Sequence, residues 1–133
     1  MFAIEYRYNT PLTGQQVADV FKRSEIHRPT DDVERIQKMI DYGNLIVTAW
    51  DEEKLVGIAR SLTDFCYSCY LSDLAVVKEY QHHGIGRELI NQTRMRLSDQ
   101  VSLLLLSAPA AMTYYPRVGF DKAENAWIIH RKR

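Results

Sequence analysis

The sequence predicts an α/β (α+β) domain with a mixed, mostly antiparallel central sheet, one parallel strand pair near its middle, and about four flanking helices. Three observations carry this. Residues 45–50 and 55–63 are apolar runs joined by the polar turn Asp51-Glu52-Glu53-Lys54, which makes a hairpin. Residues 67–77 read as a third, longer strand. Beyond it, Ile85, Leu89, Ile90, Thr93 and Leu97 fall on one helical face, and residues 101–106 form a buried-type strand. Strand, helix, strand in that order implies a right-handed parallel crossover.

The remaining elements follow in chain order. Residues 3–9 alternate weakly and read as a first strand. Thr13-Gly14-Gln15-Gln16 reads as a capping box, with Val17, Val20 and Phe21 as the apolar stripe behind it. His27-Arg28-Pro29-Thr30 is a loop. Thr30 or Asp31 then caps a second helix that carries Val33, Ile36, Met39 and Ile40 on one side and stops at Gly43. After the crossover come a short helix over residues 111–118, then Phe120, and a last strand near residues 127–130. No repeat, low-complexity tract or linker interrupts the 133 residues, the length of one domain spanning 1–133.

Hydrophobic residues make up 46% of the chain and charged residues 26%, the mix of an ordinary globular protein. Seventeen Lys+Arg balance seventeen Asp+Glu. That balance argues against attachment to nucleic acid or to an anionic membrane by charge. The densest apolar stretch, around Leu103 to Leu106, is too short to cross a bilayer. The first residues lack the basic flank and apolar core of a secretory leader. The expectation is a cytoplasmic protein, monomer or homodimer, that binds neither nucleic acid nor membrane.

Cys66 and Cys69 form a C-x-x-C, a pattern shared by redox pairs and zinc half-sites. No second ligand pair with metal-like spacing accompanies it. Its neighbours Phe65, Tyr67, Tyr70 and Leu71 read as strand and sheet packing, and an offset of three points two side chains to opposite faces of a strand. Two ordinary thiols and no metal are expected.

The informative segment is Gln81-His82-His83-Gly84-Ile85-Gly86-Arg87, between a strand and a helix. Amides at a helix start lack internal partners and carry partial positive charge, so they form an anion site. Glycines there let the backbone approach a phosphate; equally, Gly84 and Gly86 serve a tight turn. Leu89 stands where a dinucleotide fingerprint needs its third glycine, and no Gly-Lys-Ser/Thr of a P-loop is present.

The stretch from Leu74-Ala75-Val76-Val77 through Gln81-His82-His83-Gly84-Ile85-Gly86 resembles the acetyl-CoA signature of the GNAT N-acetyltransferase superfamily, Arg/Gln-x-x-Gly-x-Gly/Ala after a strand. Downstream, Tyr115-Pro116-Arg117-Val118-Gly119-Phe120 resembles that family's second signature, Tyr-x-x-x-Gly-Phe. The likeness covers residues 45–120 well and the first forty only in their two-helix layout.

The resemblance implies a single-domain GNAT fold with a splayed parallel pair. It also implies direct transfer of an acetyl group from acetyl-CoA to a primary amine, without a covalent enzyme intermediate. The amides of Gln81, His82, His83, Gly84, Ile85, Gly86 and Arg87 are expected to hold the pyrophosphate. The backbone of Leu74, Ala75 and Val76 is expected to hold the pantetheine arm, beside a β-bulge that opens the slot. Tyr115 matches the general acid that protonates the leaving thiolate, with its neighbour Tyr114 as the alternative. Asp73 matches one of two family carboxylates and is the candidate base; Ser72 replaces the other. Arg87 and Arg117 read either as phosphate contacts or as surface arginines. His27 and Arg28, in the loop that roofs the acceptor side in the family layout, are candidate contacts to a small-molecule amine. Open alternatives are a protein N-terminus or lysine as acceptor, a larger acyl group, and a non-catalytic acyl-CoA-binding module.

Overall fold

The computed structural model describes residues 3–133. Strand β1 (Ile4–Tyr8) leads to helices α1 (Gly14–Ser24) and α2 (Val33–Tyr42), then to β2 (Leu45–Asp51), β3 (Lys54–Thr63) and β4 (Ser68–Val76). A 3-10 turn (Lys78–Tyr80) precedes α3 (Ile85–Met95), β5 (Ser102–Leu104) and two further 3-10 turns, Pro109–Ala111 and Tyr115–Val118. The five strands lie side by side in chain order. All neighbours are antiparallel except β4 and β5, which run parallel as the crossover requires.

Local chemistry sets the helix starts. Thr13 caps α1 through its hydroxyl, and the Gln16 side chain accepts from the Thr13 amide at 2.9 Å, a complete capping box. Asp32 caps α2, not Thr30 or Asp31: its carboxylate accepts from the Arg35 amide at 3.1 Å. The Gly14 amide donates to Gln37 Oε1 at 2.6 Å and ties the two helices together.

The sheet is covered on both faces. On β3, Leu89 of α3 packs against the open Cα of Gly57. Arg60 lies three residues along and so faces the other way, where it reaches the Met39 carbonyl of α2. Phe21, Ile36, Leu45, Ile58, Leu89 and Ile90 are fully buried between these layers. Each contributes roughly 1.5–3 kcal/mol by leaving water. Cover on both faces explains why β2 is buried at every position from Leu45 to Trp50, Thr48 included, rather than at alternate ones.

Several expectations are corrected. The short helix expected over residues 111–118 is replaced by two 3-10 turns, because Pro116 removes an amide that a continuous α-helix over those residues needs. The flanking set is thus three α-helices and three 3-10 turns among the described residues. No strand forms near residues 127–130, where Trp127 and Ile129 are 97% and 99% exposed. The last strand of the sheet is β5, shorter than expected, so the parallel pair lies at one edge of the sheet rather than near its middle. Phe65, Cys66 and Tyr67 lie in a turn before β4, exposed rather than packed on the sheet. Cys66 and Cys69 are free thiols, the first exposed and the second buried. Among the described residues no helix is long and apolar enough to cross a membrane, and no group of three or more His, Cys, Asp or Glu is placed to hold a metal ion.

Candidate active site

The site begins where β4 and β5 part. Their pairing covers only Ser68 to Tyr70 against Ser102 to Leu104. Immediately beyond, β4 carries a bulge: Ser61 pairs with Leu71 and Arg60 with Asp73, so Ser72 is the extra residue. The bulge thus sits just before Leu74, Ala75 and Val76, not among them. An extra residue bends its strand and raises the local twist, which turns the rest of β4 away from its parallel neighbour.

The edge left open is the second half of β4. The Val77 amide donates to Val56 on β3 at 2.9 Å. Antiparallel pairs alternate between exchanging and not exchanging bonds, so Ala75 is also turned toward β3, whereas the backbone groups of Leu74 and Val76 point outward. The Val76 carbonyl accepts from Gln81 Nε2 at 2.8 Å. Leu74 and Val76 are therefore the edge positions of the trio, and Ala75 supplies a small buried side chain.

From this edge the chain turns into α3. Gly84 stands just before the helix with φ +82, a left-handed conformation that a side chain resists. A Cβ on it would meet nothing within 4 Å. No side chain caps the helix, and the first helical bond runs from the Glu88 amide to the Gly84 carbonyl. The amides of Ile85, Gly86 and Arg87 thus lack helical acceptors, at the positive end of the helix dipole. Gln81 differs from the expectation: its amide is bonded to the Lys78 carbonyl at 3.2 Å and its side chain to Val76, so it braces the turn. His82, with φ 66, and His83 have exposed side chains, while Ile85 buries its side chain in the core.

The two sequence motifs meet here. The Tyr114 hydroxyl lies over Gly86, and Arg87 Nη2 donates to the Arg117 carbonyl at 3.2 Å. Tyr115 is half-buried and held edge-on by Tyr114 (5.3 Å between ring centres) and by Phe120 (5.5 Å). Gly119, at φ 99, closes the turn so that the Phe120 amide reaches the Tyr115 carbonyl. Burial pushes the Tyr115 hydroxyl above its ordinary value, Tyr114 adds to this, and the Arg28 cation opposes it. The Tyr114 hydroxyl is also raised by burial, with Arg87 opposing.

The helix-joining loop reaches the bulge through Arg28. Its Nε donates to Asp73 Oδ1, its Nη2 to the Ser72 carbonyl at 2.9 Å, and its Nη1 to the His27 carbonyl at 2.7 Å. Arg60 grips the same place from below: its Nε donates to Asp73 Oδ2 and its Nη2 to Ser72 Oγ at 3.0 Å. Asp73 has no exposed side-chain surface, and both its oxygens accept from guanidiniums. A carboxylate so buried and so held stabilises the bulge and presents no exposed surface to the slot. The His27 side chain is exposed and contributes its carbonyl. Arg60 escaped the sequence reading because it stands alone in an apolar strand. An arginine at a buried position, on a strand that pairs with one bearing an aspartate, is the signal that would have found it.

The arrangement offers three things to one ligand: a ring of open amides for an anion, an unpaired strand edge for an extended peptide-like chain, and a raised phenol beside them. Phosphates suit the first and a pantetheine arm the second, so these residues fit an acyl-CoA thioester. A separate groove, between α3 and the chain leading into β5, is lined by none of the candidate residues.

Comparisons with known proteins bear on the family and the fold. The family model described as an acetyltransferase (GNAT) domain matches residues 10–128. An uncharacterized N-acetyltransferase, ycf52-like, of Prochlorococcus marinus is 27% identical over 94 residues, covering 66% of this chain and 52% of that protein. The chain spans about half the length of this curated relative. Among solved structures, a probable acetyltransferase of unknown function from methicillin-resistant Staphylococcus aureus superposes with a TM-score of 0.80 at 20% identity, covering 98% of this chain and all of that one. The PaiA N-acetyltransferase of Thermoplasma acidophilum, solved in complex with coenzyme A, superposes with a TM-score of 0.71 at 16% identity over 94% of each chain. At these identities the structural likeness is one of fold.

Proposed function

The chain belongs to the GNAT acetyltransferase family, and from that premise we propose that it moves the acetyl group of acetyl-CoA directly to a primary amine of a small molecule. The observation that carries this is the junction of the uncapped α3 start with the open edge of β4, beside Tyr115. In this reading the amides of Gly84 to Arg87 take the pyrophosphate. Leu74 and Val76 pair with the pantetheine arm, and their backbone dipoles oppose the charge that grows on the thioester oxygen.

The amine nitrogen attacks the thioester carbon, the carbon–sulfur bond breaks, and the sulfur leaves with the bonding pair. Tyr115 gives that sulfur a proton and regains one from water, while the amine loses one to water. A hydroxyl kept protonated by burial is suited to donating. Asp73 we assign to positioning, since its oxygens are taken by Arg28 and Arg60.

The test is ligand-induced stabilisation together with release of free CoA thiol. Acetyl-CoA and desulfo-CoA should both raise the melting temperature, because the grip is on phosphate and a ligand of the native state stabilises it. Gly84→Val sets a branched side chain beside the amides and should abolish the shift in a protein that still folds. A wild-type melt unmoved at millimolar acetyl-CoA would overturn the proposal.

A further inference from the structure

The cluster beneath the slot is unbalanced. Two guanidiniums, Arg28 and Arg60, share one carboxylate, Asp73, leaving a charge of +1. Among the described residues no second carboxylate lies within ion-pair distance of either arginine. The surplus sits on one member: the Arg28 side chain is 27% exposed, against 8% for Arg60 and 0% for Asp73. Arg28 also has hydrogen-bonding capacity left. A guanidinium carries five N–H groups, and three of Arg28's are bonded, to Asp73, Ser72 and His27. Its Nη2 lies against the Ser72 carbonyl, at the bulge where the slot opens, and its charge is felt at the Tyr115 hydroxyl.

A lone surplus cation there sorts acceptors by charge. It repels a polycation and attracts an anion, and its planar N–H fork suits a carboxylate. We propose that the acceptor is a primary amine that also bears a carboxylate, held by Arg28. The inference rests on the acetyl-transfer reading above and names its substrate class.

The experiment uses the whole chain, acetyl-CoA and a thiol-release assay. Each of several amino acids is compared with the amine that has hydrogen in place of the carboxylate. Phosphoethanolamine against ethanolamine tests anions other than carboxylates, and spermidine is the polycation. For the preferred pair, kcat/KM should favour the carboxylate member by at least about tenfold, the scale of a charged hydrogen bond, with spermidine the poorest acceptor. Arg28→Gln should collapse that ratio toward one, and Arg28→Lys should keep part of it. A carboxylate preference absent from every wild-type pair, faster turnover of spermidine, a preference for phosphoethanolamine over all amino acids, or a ratio unchanged in Arg28→Gln would each overturn the inference. The wild-type ratios decide the matter even where an Arg28 variant fails to fold. Stabilisation by acetyl-CoA without carboxylate preference would sink this inference alone; no stabilisation and no thiol release with any amine would sink the acetyl-transfer reading with it.

Discussion

The Tyr114 hydroxyl lies 2.9 Å from the point where a Cβ on Gly86 would stand, closer than real side chains approach. That contact couples the first turn of α3 to the aromatic pair that holds Tyr115. Gly86→Ala should therefore lower the melting temperature, although alanine inside a helix is ordinarily better than glycine by about 1 kcal/mol. Tyr114→Phe removes the obstructing oxygen, and the ring carbon behind it is 3.8 Å away. In that background the same Gly86→Ala change should be neutral or stabilising. A double-mutant cycle of melting temperatures checks the reversal of sign.

Tyr115→Phe keeps the edge-on packing against Tyr114 and Phe120 and removes only the proton donor. A positioned acid is worth ~10²- to 10⁴-fold, so kcat should fall at least about tenfold with acetyl-CoA affinity unchanged. The acid works while protonated, and burial raises its pKa from an ordinary 10. The wild-type rate should therefore show no alkaline fall below pH 10. A fall centred lower would belong to another group, and equal rates for Tyr115→Phe and wild type would remove Tyr115 from the reaction.

Asp73 and Arg60 should behave as one unit. Removing Asp73 leaves the buried Arg60 cation uncompensated, a loss of about 3–5 kcal/mol, whereas removing Arg60 leaves Asp73 paired with Arg28. Asp73→Leu should be the more destabilising single variant, Arg60→Met the milder, and the double variant less destabilised than the sum of the two. Denaturant unfolding measures this, and simple additivity would mean that the pair does not act together.

Asp64 contributes at the turn before β4. Its carboxylate accepts from the amides of Cys66, Tyr67 and Ser68 at 3.0, 2.8 and 3.1 Å, which holds its pKa well below the usual range. A depressed folded-state pKa gives stability that is complete above the unfolded value, about 3.9, and lost as pH falls below it. Asp64→Ala should melt below wild type at pH 7, and the gap should narrow toward pH 2. A gap independent of pH would mean that the carboxylate charge is not what the turn uses.

The sequence reading succeeds where one residue type has a local task. The Thr13–Gln16 box and the α3 stripe of Ile85, Leu89, Ile90 and Thr93 act within a turn or two of themselves, whereas Leu97, expected on the same stripe, falls beyond the helix end at Met95. It falls short where distant segments decide. Arg60 and Asp73 are 13 residues apart, and Arg28 and Asp73 are 45 apart. Their cluster exists only because the sheet and the helix loop converge on Ser72. The same holds for β5, which stops at Leu104 because the bulge turns its partner away. The apolar run of residues 127–130 looks strand-like, yet a strand needs an edge to join as well as a propensity.

Sheet order that equals chain order has a kinetic consequence. From Leu45 to Val76, each strand pairs with the next across a turn, so β2, β3 and β4 can assemble with little loop closure. The parallel partner arrives only after the chain has crossed over through α3. On this topology the start of α3 and the parting of β4 from β5 are expected to form together, late, after the meander that supports them. A ligand that bridges both features would then bind contacts largely missing from the folding transition state. Its effect is expected on the unfolding arm of a chevron, as a slower rate, with the refolding arm left where it was.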